Sequence, residues 1–346
     1  MPVSRREFLA TTAAAQLFAL PAQATSMAPV AMVRARSYNP IGLKPTMERL
    51  FDGIGGLGRI VKNKTVAIKV NLTGAADQRL GEYSLGQTHW SHPALLGVLI
   101  GMMEKAGAKR VRILESVPGG VPLEAHMRRG GWDPNLFLSA AKNVELENTD
   151  GLGSSKKYSR VIVPGGGHLF KHYDLNHSYE DCDVFCSLAK MKEHSIAGVS
   201  LGMKNCVGMT PGQLHGDRKA FLHGGPNDAG YRVPRVIADL AAARPIHLTI
   251  LDGIETIAGG EGPWIKGARH CSLGVLLAGT NCVNADAVAA AVMGFDPMAG
   301  RGVAPFEGCD NFLKLAEQLG VGSGDISRIE VAGYQIADAR FEFRKN

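Results

Sequence analysis

Three successive segments read "KTVAIKVNL", "HPALLGVLIGMMEKAG" and "KRVRILES". The first and third are short runs rich in β-branched residues, the pattern of buried strands. The middle one repeats apolar residues at helical spacing, with Pro93 in its first turn and Gly107 just past its end. Strand, helix, strand in that order is the unit that joins parallel strands. The alternation continues. "APVAMVRAR", "CDVFCSLAKMK", "IHLTILDG", "CSLGVLLAG" and "SRIEVAG" read as strands. "TMERLFDGIGGLGRIV" (up to its glycines), "PNLFLSAAKN", "GVSLGMKNCVG", "VPRVIADLAAA", "ADAVAAAVMG" and "NFLKLAEQLG" read as helices. "YSRVIVPGGGHLFKHYDL" reads as two strands around a glycine turn. The spacing predicts an α/β fold: a largely parallel central sheet with helices on both faces. No linker rich in Pro, Ser or charge interrupts residues 28–346, so one domain is expected there, with insertions near 116–180 and 208–230.

The first residues differ from this pattern. "SRREFLA" precedes the mildly apolar "TTAAAQLFAL" and then Ala22, Gln23 and Ala24. That is a charged start, a short apolar stretch and a small-x-small cleavage site. Arg5 and Arg6 within S-R-R-x-F-L closely resemble the twin-arginine export signal. Residues 1–24 are therefore expected to be a signal peptide, read by the twin-arginine export machinery and directing the chain to the periplasm or another extracytoplasmic space. The stretch is too short and too weakly apolar for a membrane span, and none is expected in the mature chain. This route carries folded proteins, which raises the expectation of a bound cofactor without naming one.

Net charge is +6, but it is not gathered into long basic runs, and aromatics are only 6%. Nucleic acid is therefore not an expected partner. The six cysteines contain no C-x-x-C, so ferredoxin-type iron–sulfur and zinc-ribbon spacings are absent. Cys182 and Cys186 would lie roughly 13 Å apart on one strand, too far for a disulfide. The six cysteines read as buried small apolar side chains, with a disulfide formed in the export compartment as the alternative.

Polar residues gather where strands end. "TVAIKVNL" ends on Lys69 and Asn71, "RVRILES" on Glu115 and Ser116, and "IHLTILDG" on Asp252. "AKMKEHSIAGVSLGMKNCVGMTPG" places Lys190, Lys192, His194 and Lys204 close together between apolar and glycine-rich flanks. If the strand stays extended, Val184, Cys186, Leu188, Lys190, Lys192 and His194 share one face. That face turns from apolar to cationic at the strand's carboxyl end, where open α/β sheets bind ligands. A buried ammonium without a partner is costly, so lysines in that position favour an anion between them. The alternative is a solvated loop.

"AKMKEHSIAGVSLGMKNCVG" carries K-x-K-x-H followed by K-N-x-x-G. With "VAIKVNL", "HPALLGVLIGMMEKAGAKRVRILES", "LDGIETIAGGEGPWIKG" and "AGTNCVNADAVAAAVMGFDP", it resembles the domain of unknown function 362 family over residues 60 to 335. The resemblance implies functional positions at Lys69, Asn71, Lys190, Lys192, His194, Lys204, Asn205, Asp252, Glu261 and Asp286. Some members carry ferredoxin segments; this chain has none. An aspartate usual in the family stands as Asn281 here.

These residues sort into expectations. Lys69, Asn71, Lys190, Lys192, Lys204 and Asn205 would hold a small anionic ligand, a carboxylate or phosphate, and stabilise developing negative charge. His194 would be the general acid or base. Glu261, in the loop "GGEGP", would share catalysis or bind a divalent metal with Asp252 and Asp286. Asp286 would equally serve as a cap of "ADAVAAAVMG". "GIGGLG" has a helix before it and a strand after it, the reverse of a dinucleotide-binding loop. The histidines at 168, 172, 177, 215 and 223 lack an H-E-x-x-H spacing and read as surface or hydrogen-bonded side chains, with metal ligation by His215, His223 and Asp228 in a polar, glycine-rich loop as the alternative. An enzyme on a small anion is the first expectation, and a non-catalytic cofactor-binding or redox-assembly protein is its rival.

Overall fold

The computed structural model describes residues 28–216, 219–225 and 227–344, so the export-like segment 1–24 lies outside the described residues. The strands are β1 (Val30–Arg34), β2 (Thr65–Lys69), β3 (Arg110–Glu115), β4 (Val144–Asn148), β5 (Tyr158–Ile162), β6 (His172–Asn176), β7 (Val184–Lys190), β8 (Glu193–His194), β9 (Gly198–Val199), β10 (Leu248–Gly253), β11 (Thr256–Ala258), β12 (Arg269–Cys271), β13 (Val275–Gly279) and β14 (Val331–Gly333). One sheet of eight strands runs β14-β1-β13-β10-β7-β2-β3-β4. Every neighbouring pair in it is parallel except the two that β13 makes, with β1 and with β10. The expected α/β architecture is what forms. Three hairpins, β5–β6, β8–β9 and β11–β12, stand apart from the sheet.

Side-chain alternation splits the apolar residues into two cores. Val66, Ile68, Val184, Cys186 and Leu188 face the helices Pro40–Asp52 and Pro93–Lys105. Ala67, Phe185, Ala189 and Leu251 face the helices Ala229–Ala243, Cys282–Val292 and Phe312–Gln318. Both faces of the central strands are thus covered, which is why those strands read as continuous apolar runs. No helix among the described residues is long and apolar enough to cross a membrane; the longest, Ala229–Ala243, has 15 residues. All six cysteines are free thiols, five of them buried.

Local departures from the expected pattern have physical causes. Helix Ala229–Ala243 starts earlier than its proline implies, and Pro234 lies inside it. Proline cannot donate to the carbonyl four residues back, at Gly230. The Asp310 amide takes that carbonyl instead, at 2.9 Å. "VELEN" forms the edge strand β4, although it reads as polar. Its Glu145 and Glu147 pair with Arg110 and Arg112 of β3, so salt bridges replace the apolar signal.

The segment after β7 matters most for the site. The strand ends at Lys190 and does not run extended to His194. The chain folds into the small β8–β9 hairpin and enters the short helix Leu201–Asn205 through Leu201 at φ +58°. A buried leucine in the left-handed region is strained by about 1–3 kcal/mol and needs outside support. Asp286 supplies it. Its carboxylate accepts the N–H of Gly202 at 2.8 Å and of Met203 at 2.9 Å. Asp286 is the middle of its own helix, whose actual N-cap is Asn281. Burial raises its pKa to about 7, with the two amides opposing the rise.

Chain order explains where the crevice opens. From β2 the chain steps outward to β3 and β4, whereas from β7 it steps the other way to β10 and β13. The carboxyl ends of β2 and β7 therefore flank the switch point, where neighbouring connections diverge and leave a gap. An Asp286→Ala variant leaves two buried amides unpaired behind that gap. It is expected to lose roughly 2–5 kcal/mol, measured by equilibrium denaturation near pH 8; a loss below about 0.5 kcal/mol refutes the supporting role.

Candidate functional site

A cleft of about 930 Å³ opens at this switch point. Its walls include Lys69, Asn71, Lys192, His194, Lys204, Asn205 and Glu261, seven of the residues expected from sequence. Glu115, His126, Lys219 and Trp264 join them.

Lys69, at the end of β2, is spoken for. Its Nζ lies 2.6 Å from Glu115 Oε1 and donates to the Val70 carbonyl at 2.6 Å and to Asn205 Oδ1 at 3.4 Å. Asn205 Nδ2 returns to the Lys69 carbonyl at 3.1 Å and to Ser187 Oγ at 3.0 Å. Glu115 also accepts the amides of Leu72 and Ser116. Lys69, Glu115 and Asn205 thus form a neutralised, hydrogen-bonded floor. A Cβ at Gly208 would come 2.5 Å from Lys69 Cε, so the glycine four residues after Lys204 makes room for that lysine.

Lys192 and Lys204 are different. Lys192 Nζ donates to the carbonyls of His89 (3.1 Å) and Glu261 (2.9 Å), and its third N–H is left for the cleft. No carboxylate forms a salt bridge with it among the described residues. Burial lowers its pKa to about 7, with Lys204 and Lys190 adding repulsion against the attraction of Glu261. Lys204 Nζ has neither hydrogen-bond nor ion-pair partner among the described residues, and burial lowers its pKa to about 8. Lys219 donates to the carbonyls of Thr210, Val207 and Gly208, and burial lowers it to about 7. A fall from 10.5 to about 7 corresponds to roughly 5 kcal/mol held against the charged form. An anion beside these groups would favour their charged form.

His194 is set up as a neutral hydrogen-bond donor. Its Nδ1 accepts the Ile196 amide at 3.2 Å, which leaves the proton of the neutral ring on Nε2. Burial, then repulsion from Lys204 and Lys192, hold its pKa well below the usual value. Glu261 is fixed by Ser195, whose N–H reaches Oε2 at 2.9 Å and whose Oγ reaches Oε1 at 3.0 Å. Asn71 turns its Oδ1 back to the Thr73 amide at 3.3 Å, and its Nδ2 has no protein acceptor among the described residues.

Three expected residues are placed elsewhere. Lys190 lies across from Asp252 in the β7–β10 register and forms a fully buried pair with it at 2.8 Å. Its other two N–H groups meet Tyr38 Oη (2.9 Å) and the Glu255 carbonyl (2.6 Å). Tyr38 donates to Asp252 as well. The one-face expectation fails because β7 ends at Lys190: Lys190 joins this closed network, and only Lys192 and His194 reach the cleft. Asp252 and Asp286 are likewise occupied, and neither meets Glu261. Among the described residues no three His, Cys, Asp or Glu side chains converge as a metal site requires.

The sequence reading left Lys219 and Trp264 out of the site. Lys219 lies in a polar glycine-rich stretch with no periodicity to place it. Trp264 sits three residues past Glu261, one residue beyond the loop "GGEGP".

A family model matches residues 66–291: DUF362, a domain of unknown function. The chain belongs to the DUF362 family. A relative, thylakoid-associated protein sll1697 of Synechocystis sp., is 26% identical over 269 residues, covering 78% of this chain and 75% of that protein. Solved structures that resemble this DUF362 chain include the lactate racemase apoprotein of Thermoanaerobacterium thermosaccharolyticum. It has a TM-score of 0.43, 14% identity and coverage of 71% of this chain and 54% of that one. A protein of Thermotoga maritima gives a TM-score of 0.39, 14% identity and coverage of 66% and 54%. The chain spans about half the length of these two structures.

The Lys190–Asp252 pair gives a test of the division between structure and site. Removing one partner of a buried pair strands the other charge, which costs about 3–5 kcal/mol. Lys190→Met is expected to lose that much in urea denaturation, and Lys204→Met to lose less than about 1 kcal/mol or to gain. Equal losses would show that Lys204 has a partner after all.

Proposed function

We propose that this DUF362 protein binds a small anion, carboxylate or phosphate, in the cleft between the ends of β2 and β7. The observation that carries the reading is Lys204, an ammonium in the cleft wall with no hydrogen-bond or ion-pair partner among the described residues. The anion lies among Lys192, Lys204 and the Nε2–H of His194. Lys69 shapes the floor and is already matched by Glu115. The parts support acid–base work on the bound molecule: a lysine that exchanges its proton near neutral pH and the Glu261 carboxylate, with the neutral His194 ring holding the anion by a hydrogen bond. The S-R-R-x-F-L start supports a location outside the cytoplasm for this work.

Isothermal titration of the purified protein with phosphate and with malonate tests the reading. Binding is expected for the wild type and at least about tenfold weaker binding for Lys204→Met. Unchanged affinity in that variant would end the proposal.

The lysines also set a pH dependence. Folded Lys192, Lys204 and Lys219 sit below the 10.5 of the free side chain. Between about 7 and 10.5 the unfolded chain then holds more protons, so the contribution of these groups to stability rises with pH across that window. An anion favours the protonated lysines, so binding takes up protons. Malonate affinity is therefore expected to fall about tenfold or more from pH 6.5 to 9.5, with proton uptake near pH 8 seen by titration in two buffers. A flat profile contradicts the cationic role. For export, a reporter fused behind residues 1–30 is expected to leave the cytoplasm and to stay inside when Arg5 and Arg6 are both changed to lysine.

A further inference from the structure

The cleft is larger than its charged part needs. About 930 Å³ sits near the upper end of the range for sites that enclose ligands of drug size. A phosphate or a two-carbon acid fills a small fraction of it. Beside the lysines the wall is apolar: Leu72, Val117, Val121, Ile196 and Val207 line it with Trp264. Leu72, Val117 and Val207 are each 4% exposed, so this wall belongs to the core and is not a chance scatter of surface groups.

Trp264 is the unusual member. The other two tryptophans, Trp90 and Trp132, are buried, whereas Trp264 is 39% exposed. Its seat is built. A Cβ at Gly74 or at Gly262 would overlap the indole, so two glycines clear the space in which the ring lies. Gly74 has φ +84°, a conformation that disfavours any replacement. His89 meets the indole edge-on, ring centres 5.4 Å apart. The His89 carbonyl and the Glu261 carbonyl both accept from Lys192, which ties this aromatic wall to the cationic one.

Resting on the anion-binding reading, we propose that the ligand is an organic anion with a flat, apolar ring: the acid group sits among Lys192, Lys204 and His194, and the ring lies against Trp264 and the aliphatic wall. The acid head supplies the charge that the lysines lack. The ring covers the exposed indole and the apolar wall, and both contributions need the same molecule to span the two parts of the cleft.

Matched pairs of probes separate head from ring: benzoate against acetate, and phenyl phosphate against methyl phosphate. Calorimetry on the full chain at pH 7 is expected to show each ring-bearing anion binding at least about tenfold tighter than its methyl partner. Which head binds better decides between carboxylate and phosphate. Trp264→Leu is expected to cut the ring preference to below about threefold and to leave the methyl anions unchanged; Trp264→Phe restores most of it. Lys204→Met weakens all four. Equal affinity within each pair, or a preference that survives Trp264→Leu, overturns the ring proposal and leaves the anion reading intact. No binding of any probe overturns both. Thermal unfolding of each variant checks that it remains folded.

Discussion

Lys192, Lys204 and Lys219 share the crevice between β2 and β7 without an ion pair to any carboxylate among the described residues. That imbalance of charge is the constraint from which the rest of the site follows. The crevice opens where the chain leaves β2 and β7 in opposite directions. Its cationic lining follows from the segment after β7, which folds back through a small hairpin and a strained leucine. Burial then does the chemistry. It brings Lys192 and Lys219 to about 7 and Lys204 to about 8, where an amine exchanges its proton at physiological pH.

The molecule handles its lysines in three ways. Lys190 is neutralised by an in-register neighbour and closed off by a tyrosine and a carbonyl. Lys69 is neutralised by Glu115 across the β2–β3 pair of strands and held by Asn205. Lys192 and Lys204 are left short of negative charge. The first two arrangements are stable without a ligand, and the third is not. The same residue type in one short segment thus serves architecture at 190 and recognition at 192 and 204, two residues apart, because the strand ends between them.

Much of this was legible. The strand–helix alternation predicts the parallel sheet, and polar residues at strand ends predict where the crevice lies. Lys69, Asn71, Lys192, His194, Lys204, Asn205 and Glu261 read as residues of that rim, and all seven line the cleft. What escaped depends on partners distant in sequence. Nothing near Lys190 reveals that Asp252 lies beside it; that requires knowing that β7 and β10 are neighbours. Asp286 reads as a cap of its own helix, yet its amides belong to residues 202 and 203. Edge strand β4 hides because arginines on β3 satisfy its glutamates, so it never needed an apolar pattern. Alternation itself misled at 190–194, since it holds only while the backbone stays extended.

The glycines show how far a motif can be turned into physics. In K-N-x-x-G, Lys204 is the unpaired cation, Asn205 holds Lys69, and Gly208 leaves the space that Lys69 occupies. The motif therefore describes two lysines, although it contains one. The second is reached through the asparagine and the glycine, and its position on β2 is fixed more than a hundred residues earlier. Gly74 and Gly262 repeat the device for Trp264. In both places a missing side chain makes room for a large one, across segments at Gly208 and Gly74 and within one loop at Gly262, and the cleft takes its shape from residues that contribute no functional group of their own.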